Sequence, residues 1–389
     1  MKELIACKYA PIIENNDILS VIGSIFWGWT EPDRFDILNK DSPYNLAPMP
    51  NKELPKGIAP KETFEEICLN VAKEFIDKNS DKEIVLFWSG GVDSTAIICS
   101  LIMAGISKSQ LTIIYTPESI EENKNFYQWL LNNNYRMIKY NWIATREIVE
   151  KFPYAVFTTG WCADQLFGSN VNQAYPHLYT VDYKDGFKEI LNDRYFSKNL
   201  SISEIDNCIS KFGEYAEQIG MPIKYTCDAL WLFNFCVKWS HVRDDLNLTL
   251  RTDDQRSRSF CFFEDMRFQE WSIANYHNLY KHNQSTDVEY YKKPLKDLIY
   301  SFNHDEEYYK NKGKVNSWKS TGKLGVYSTF CIHDEEGYHE YDLTMDTPAS
   351  KNILHTGHKM ELNKRWYLKD YLKDWVDKEK FLKDYTIWG

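Results

Sequence analysis

The chain has 389 residues, 43% of them hydrophobic, so its length permits two or three domains and its composition permits a sizeable core. The formal net charge of −10 disfavours nucleic acid as a partner, because a broad nucleic-acid surface needs a basic balance. No apolar stretch reaches the roughly 18 residues of a membrane span, and the first residues form no signal peptide, so we expect a soluble, cytoplasmic protein.

The cysteines are scattered along the chain, and no two of them form a Cys-x-x-Cys pair. This spacing argues against a zinc ribbon and against sulfur transfer by paired thiols. We expect most of them to be core residues, as Cys68 and Cys99 lie on the apolar faces of predicted helices.

Residues 1–60 carry many Pro and Asn residues and one apolar stretch near 21–29, which indicates a small appended region of strands and loops. Thr63 and Glu66 then form a capping box ahead of apolar residues at helical spacing. The pattern predicts an amphipathic helix over 64–77.

Short apolar runs then alternate with helical stretches. We predict strands at 83–88, 111–115, 136–140 and 154–158, and helices at 96–104, near 119–132 and near 143–151. Continuous apolar strands separated by helices are typical of a doubly wound α/β fold, whose parallel sheet is buried on both faces. If the first three strands run outward and the chain then crosses over, the fourth strand lies beside the first. The gap between their carboxyl ends is where such sheets bind ligands.

The remainder of the chain is helical and aromatic. We therefore predict an α/β core over 61–182 and a mostly helical, substrate-side part over 183–389, which together follow the appended region 1–60. The last segment, 345–389, reads as a polar loop followed by a charged amphipathic helix.

A small polar turn joins the first predicted strand to its helix. It consists of Ser89, Gly90, Gly91, Val92, Asp93 and Ser94. A strand, a small-residue turn and a helix N-terminus together present backbone N–H groups and the helix dipole to an anion. The spacing is not that of a Walker A loop. The serine hydroxyls can donate to phosphate oxygens and Asp93 can hold a divalent metal, so the turn predicts a pyrophosphate site.

A second polar segment follows the fourth predicted strand. Residues 159–168 read Thr-Gly-Trp-Cys-Ala-Asp-Gln-Leu-Phe-Gly. At the switch point of the sheet this segment would face the turn. The alternative is a plain helix N-terminus capped by Asp164.

Both segments resemble a known family. The turn looks like the pyrophosphate loop of the N-type ATP pyrophosphatases, and residues 159–168 are similar to the Gly-Asp-Gly-Ala-Asp-Glu-Leu-Phe-Gly segment of asparagine synthetases and β-lactam synthetases. The resemblance implies ATP and Mg²⁺ as cofactors, with the metal held by Asp93 and Asp164. It also implies a nucleotide site formed by the turn together with Tyr115 and Gly160.

A third segment, residues 319–326, reads Lys-Ser-Thr-Gly-Lys-Leu-Gly-Val. It resembles a Lys-Leu-Gly-Val loop of β-lactam synthetase whose lysine lies over the reacting acyl phosphate. The resemblance implies Lys323 as a catalytic lysine, with Lys319 in that role if the register slips. The alternative is an exposed lysine-rich loop.

The sequence departs from the family at several positions. Trp161 and Cys162 replace Asp-Gly, and Gln165 stands where the family usually has Glu. We keep Gln165 as a candidate catalytic residue, although loss of the carboxylate affects the expected handling of the amine. Lys2 occupies the position of the catalytic cysteine of a glutaminase domain, so we expect no glutaminase activity.

The resemblance thus implies an AMP- and pyrophosphate-forming amide ligase. It would adenylate a small-molecule or peptide carboxylate and transfer the acyl group to an amine or ammonia. A separate amidotransferase subunit and a second copy of the chain, as a homo-oligomer, are both open as partners. Two alternatives stand beside it. One is a nucleoside- or tRNA-modifying enzyme, which predicts cysteine pairs or a basic domain. The other is a non-catalytic nucleotide-binding protein, motivated by Gln165 and Trp161.

Overall fold

The computed structural model describes residues 3–7, 55, 60–140, 145–168, 176–193, 202–235, 239, 253–283, 292–312, 329–334 and 337–342. The strands are β1 (Glu3–Cys7), β2 (Ile84–Trp88), β3 (Leu111–Tyr115), β4 (Arg136–Lys139), β5 (Val156–Thr159), β6 (Ser259–Cys261), β7 (Thr329–Asp334) and β8 (Gly337–Asp342). The helices are α1 (Phe64–Lys78), α2 (Val92–Met103), α3 (Pro117–Glu122), α4 (Lys124–Asn132), α5 (Thr145–Lys151), α6 (Ala163–Leu166), α7 (Tyr183–Asp193), α8 (Ile202–Ile219), α9 (Thr226–Phe233), α10 (Asp253–Ser257), α11 (Met266–Asn283), α12 (Lys293–Asn303) and α13 (Glu306–Asn311).

Five of these strands form a parallel sheet in the order β4-β3-β2-β5-β6. The chain runs outward from β2 through β3 to β4, then crosses to the other side of β2 and adds β5. Every residue of β2 and β3 is buried, as expected for strands covered on both faces. The prediction of a parallel α/β sheet whose fourth strand lies beside the first is therefore confirmed.

Two local predictions are wrong in detail. The predicted helix near 119–132 is two helices, because Asn123 leaves the helical conformation with ψ 76° and its Oδ1 accepts a hydrogen bond from Phe126 N at 3.1 Å. Strand β5 starts at Val156 instead of residue 154. The preceding residues form a turn, in which the carbonyls of Phe152 and Ala155 accept hydrogen bonds from Arg258.

Helices α1 and α12 both pack against α2. Helix α1 starts at the predicted capping box: Thr63 Oγ1 accepts a bond from Glu66 N at 3.2 Å, and Thr63 N donates to Glu66 Oε2 at 2.7 Å. Helix α2 is apolar and buried along most of its length. These helices fix the position of the turn that precedes α2.

The chain divides into two compact units. One comprises 55–173 and 253–320 and contains the parallel sheet. Residues 259–261, within the part predicted as helical, supply its fifth strand. The other unit comprises 1–54, 174–252 and 321–389. It contains helices α7 to α9 and an antiparallel sheet in the order β1-β7-β8, so the first strand of the chain pairs with residues 329–334.

The described residues of the predicted C-terminal part are mostly helical but also include strands β6, β7 and β8, and the helix predicted within 345–389 lies outside the described residues. Within the described ranges no helix combines the length and the apolar character that crossing a bilayer requires.

Candidate active site

The turn over residues 89–94 connects β2 to α2 in a conformation that requires glycine. Gly90 has φ +78°, and a Cβ atom there would lie 2.3 Å from the carbonyl oxygen of Ser119 and 2.8 Å from Cβ of Glu122. The left-handed backbone and the contact with α3 both exclude a larger residue. The turn is therefore held tightly against α3.

Hydroxyl groups hold the turn in shape. Ser94 Oγ accepts a hydrogen bond from Ser89 N at 3.1 Å and lies 3.1 Å from Ser89 Oγ. Ser89 Oγ in turn accepts a bond from Gly91 N at 3.3 Å. The two serines that we predicted as phosphate contacts thus also organise the loop.

The strand end that precedes the turn is anchored from two sides. Ser119 Oγ donates to the carbonyl of Trp88 at 2.7 Å, and Trp88 Nε1 donates to Thr95 Oγ1 at 3.0 Å. Gly91 is the N-cap of α2 and has no side chain to accept bonds from the first-turn amides. A twelve-residue helix with this start offers N–H groups and a positive dipole end to an anion.

The carboxyl end of β5 lies directly against the start of α2. A Cβ atom at Gly160 would be 3.0 Å from Ser94 N and 3.0 Å from Cβ of Asp93. Glycine therefore permits the close approach of the two segments that the sequence singled out. The following residues, Trp161 and Cys162, lead into α6, which carries Asp164.

Asp93 and Asp164 converge on one cation, the ammonium of Lys292. Lys292 Nζ lies 2.6 Å from each carboxylate oxygen of Asp93 and 2.5 Å from Oδ1 of Asp164. The side chain of Lys292 is 5% exposed, against 26% for Asp93 and 44% for Asp164. The structure thus brings the two carboxylates together around an ammonium, and that they share a Mg²⁺ ion stays a prediction.

Lys292 is the site residue that the sequence analysis missed. It has φ 52° and precedes α12, whose first turn contains Pro294. The pair Lys292-Lys293 before a proline marks a helix start, but nothing local links it to an aspartate 199 positions away. Lys323 and Lys319, to which the resemblance assigned the catalytic charge, lie outside the described residues.

The carboxylate pair fits a magnesium–triphosphate complex. Mg²⁺ prefers oxygen ligands and is usually bound by one or two carboxylates together with water and substrate phosphates. Asp93 and Asp164 supply that number of carboxylates around one point, beside the turn at the N-terminus of α2. In the described part of the chain no group of three His, Cys, Asp or Glu side chains is arranged to hold a metal.

The other predicted site residues have different environments. Tyr115, at the end of β3, is buried, its Oη lies 3.3 Å from Tyr127 Oη, and burial raises the pKa of Tyr115 to about 12. Its carbonyl accepts a hydrogen bond from Tyr140 N at 2.8 Å. Gln165 is 1% exposed, and its Oε1 has no hydrogen-bond partner.

Cys162 has a backbone conformation that is rare for its residue type. It is buried, and its φ of 70° lies in the left-handed region that favours glycine. The segment that residues 159–168 resemble has glycine at this position, the residue that this conformation suits best. Such strain is found at functional sites when the surrounding structure enforces it.

Comparisons of the sequence with known protein families and with curated proteins found no match.

Proposed function

We propose that the protein is an ATP-dependent ligase that adenylates a carboxylate, releases pyrophosphate and transfers the acyl group to an amine or ammonia. One observation carries the proposal. A glycine-dependent, hydroxyl-lined turn at a helix N-terminus lies beside two aspartates that surround a single cation, at the switch point of a parallel sheet. This is the crevice where α/β sheets bind ligands.

The turn would hold the β- and γ-phosphates of ATP. The first-turn amides of α2 and the hydroxyls of Ser89 and Ser94 donate hydrogen bonds to phosphate oxygens. Asp93 and Asp164 would hold Mg²⁺, which when bound neutralises charge on the departing pyrophosphate. These contacts would orient the α-phosphorus toward an incoming carboxylate.

The proposed reaction has two steps, adenylation of the carboxylate and transfer of the acyl group. A substrate carboxylate oxygen attacks the α-phosphorus, and the bond between the α-phosphorus and the α,β-bridging oxygen breaks to give an acyl-adenylate and pyrophosphate. An amine nitrogen then attacks the acyl carbon, AMP leaves and the nitrogen loses a proton. The ammonium of Lys292 lies in the same site and, once released from the two aspartates, would stabilise negative charge on phosphate oxygens during the first step.

A non-catalytic nucleotide-binding protein is a second candidate. It is favoured by the ion pairs of Lys292 with Asp93 and Asp164, which satisfy both carboxylates without a metal, and by Gln165 in place of a carboxylate. In that case the turn would bind ATP and no bond would be broken.

The test is ATP–pyrophosphate exchange with Mg²⁺ across a panel of carboxylic acids. We expect exchange with at least one acid and a loss of about 100-fold or more in Asp93→Asn, because a preorganised charge is removed. Asp77→Asn, on the exposed face of α1, is the matched control and should exchange like the wild type.

Three other outcomes would change the assignment. Exchange that requires added RNA would favour a nucleoside- or tRNA-modifying enzyme. ATP binding without exchange under any condition would favour the non-catalytic protein. Full activity in a correctly folded Asp93→Asn variant would remove the metal role of Asp93.

A further inference from the structure

The ammonium of Lys292 occupies the position where the proposed function requires a divalent cation. Its Nζ contacts three carboxylate oxygens of Asp93 and Asp164 at 2.5 to 2.6 Å. A metal ion bridging the same two side chains would need the same oxygens. The two cations therefore cannot hold the carboxylate pair at the same time.

Two backbone hydrogen bonds hold Lys292 at the start of α12, and rotation of its side chain can carry the ammonium away from the carboxylates. The carbonyl of Lys292 accepts hydrogen bonds from Leu295 N at 3.0 Å and Lys296 N at 3.2 Å, which close the first turn of α12. The flexible four-carbon stem of lysine can carry its charge to a neighbouring anion without a shift of the helix.

Charge balance determines when this exchange is favourable. Two carboxylates and one ammonium sum to −1, whereas two carboxylates and a divalent cation sum to zero and leave the displaced ammonium of Lys292 without its carboxylate partners. A triphosphate brings several negative oxygens into the same space. These oxygens can pair with the displaced ammonium and complete the coordination of the metal.

We propose that Lys292 and the divalent cation are alternative occupants of the Asp93–Asp164 pair, so that the protein takes up metal together with a triphosphate and not alone. This proposal rests on the proposed function, since the triphosphate is the group expected to accept the displaced ammonium. It gives Lys292 a positioning role in the nucleotide-free protein, where it keeps the two carboxylates in place.

The test measures Mn²⁺ binding to the full-length, nucleotide-free protein by electron paramagnetic resonance. We expect weak binding to the wild type and binding at least about tenfold tighter in Lys292→Met, because the competing charge is gone. Lys293→Met removes the adjacent lysine, which pairs with Asp297 instead, and should bind Mn²⁺ like the wild type. A double variant with Asp93→Asn should lose the gain.

Equal Mn²⁺ affinity in the folded wild type and Lys292→Met would overturn the proposal. Tight Mn²⁺ binding by the wild type in the absence of a triphosphate would overturn it as well. If Lys292→Met does not fold, Lys292→Gln provides the same comparison with a neutral side chain that can still donate to the carboxylates. The readout needs no turnover. A gain in Mn²⁺ binding without any ATP–pyrophosphate exchange would therefore refute the ligase but support the competition.

Discussion

Replacing Gly90 with alanine tests whether contact with α3 enforces the shape of the turn over residues 89–94. At φ +78° an L-residue costs about 1–2 kcal/mol. The new methyl group would lie 2.3 Å from a backbone carbonyl oxygen, which cannot move away as a flexible side chain can. Overpacking of this kind costs about 1–3 kcal/mol, so we expect a total loss of about 2–5 kcal/mol in the free energy of unfolding.

Gly105 provides the matched control for this substitution. Its φ is +91°, but a Cβ atom there would meet nothing within 4 Å, so Gly105→Ala isolates the cost of the backbone conformation. Urea denaturation of both variants and of the wild type gives the two free energies. If Gly90→Ala costs no more than Gly105→Ala, the steric argument is refuted. ATP affinity, measured by calorimetry, should fall in Gly90→Ala alone.

Three further predictions concern single positions. Cys162→Val should lower the unfolding free energy by about 2 kcal/mol or more, because a β-branched residue is strained at φ 70°, whereas Cys162→Gly should stay within about 1 kcal/mol of the wild type in urea denaturation. Thr63→Ala should cost about 1 kcal/mol in the same assay through loss of the α1 cap, and Thr63→Ser should restore it. Burial raises the pKa of Tyr115 to about 12, so its contribution to stability is present below pH 10 and is lost as the pH rises toward 12; Tyr115→Phe should flatten this decline.

The elements that the sequence predicted well carry strong local signals. The capping box at Thr63 and the apolar periodicity after it place α1 within one residue of its observed end. Strands β2 and β3 are uninterrupted apolar runs, and such runs form the buried interior of a parallel sheet. The position of the fourth strand beside the first was predicted only on the condition that the chain runs outward and then crosses over, and the structure meets that condition.

The elements that were missed lack such signals. Strand β6 is three residues long, too short for any periodicity, and it is defined by its pairing with β5 across about 100 intervening positions. The break between α3 and α4 depends on one side chain, Asn123, which caps a new helix where apolar spacing alone predicts a continuous one.

Some residues of the candidate site could be predicted from the sequence, and Lys292 could not. The turn, Gly160 and Asp164 belong to short motifs that can be recognised from their residue types. Their proximity could be predicted from the expected order of the strands in the sheet. Lys292 could not be found in this manner, since a lysine before a helix is usually solvated. What distinguishes it is burial against two carboxylates, which appears once α12 is packed against α2.

Removing the ion pairs of Lys292 should change the free energy of unfolding as well as metal binding. Removing one partner of a fully buried ion pair costs about 3–5 kcal/mol, and since Asp164 is 44% exposed we expect Lys292→Met to cost less than that. The loss would come from the two carboxylates left facing each other, so Asp93→Asn and Asp164→Asn, introduced together in the Lys292→Met background, should restore part of the stability in urea denaturation. A Lys292→Met protein as stable as the wild type would contradict this account. In the proposed reaction this ion pair has to open before a metal binds, so its removal should lower the free energy of unfolding and raise the affinity for Mn²⁺.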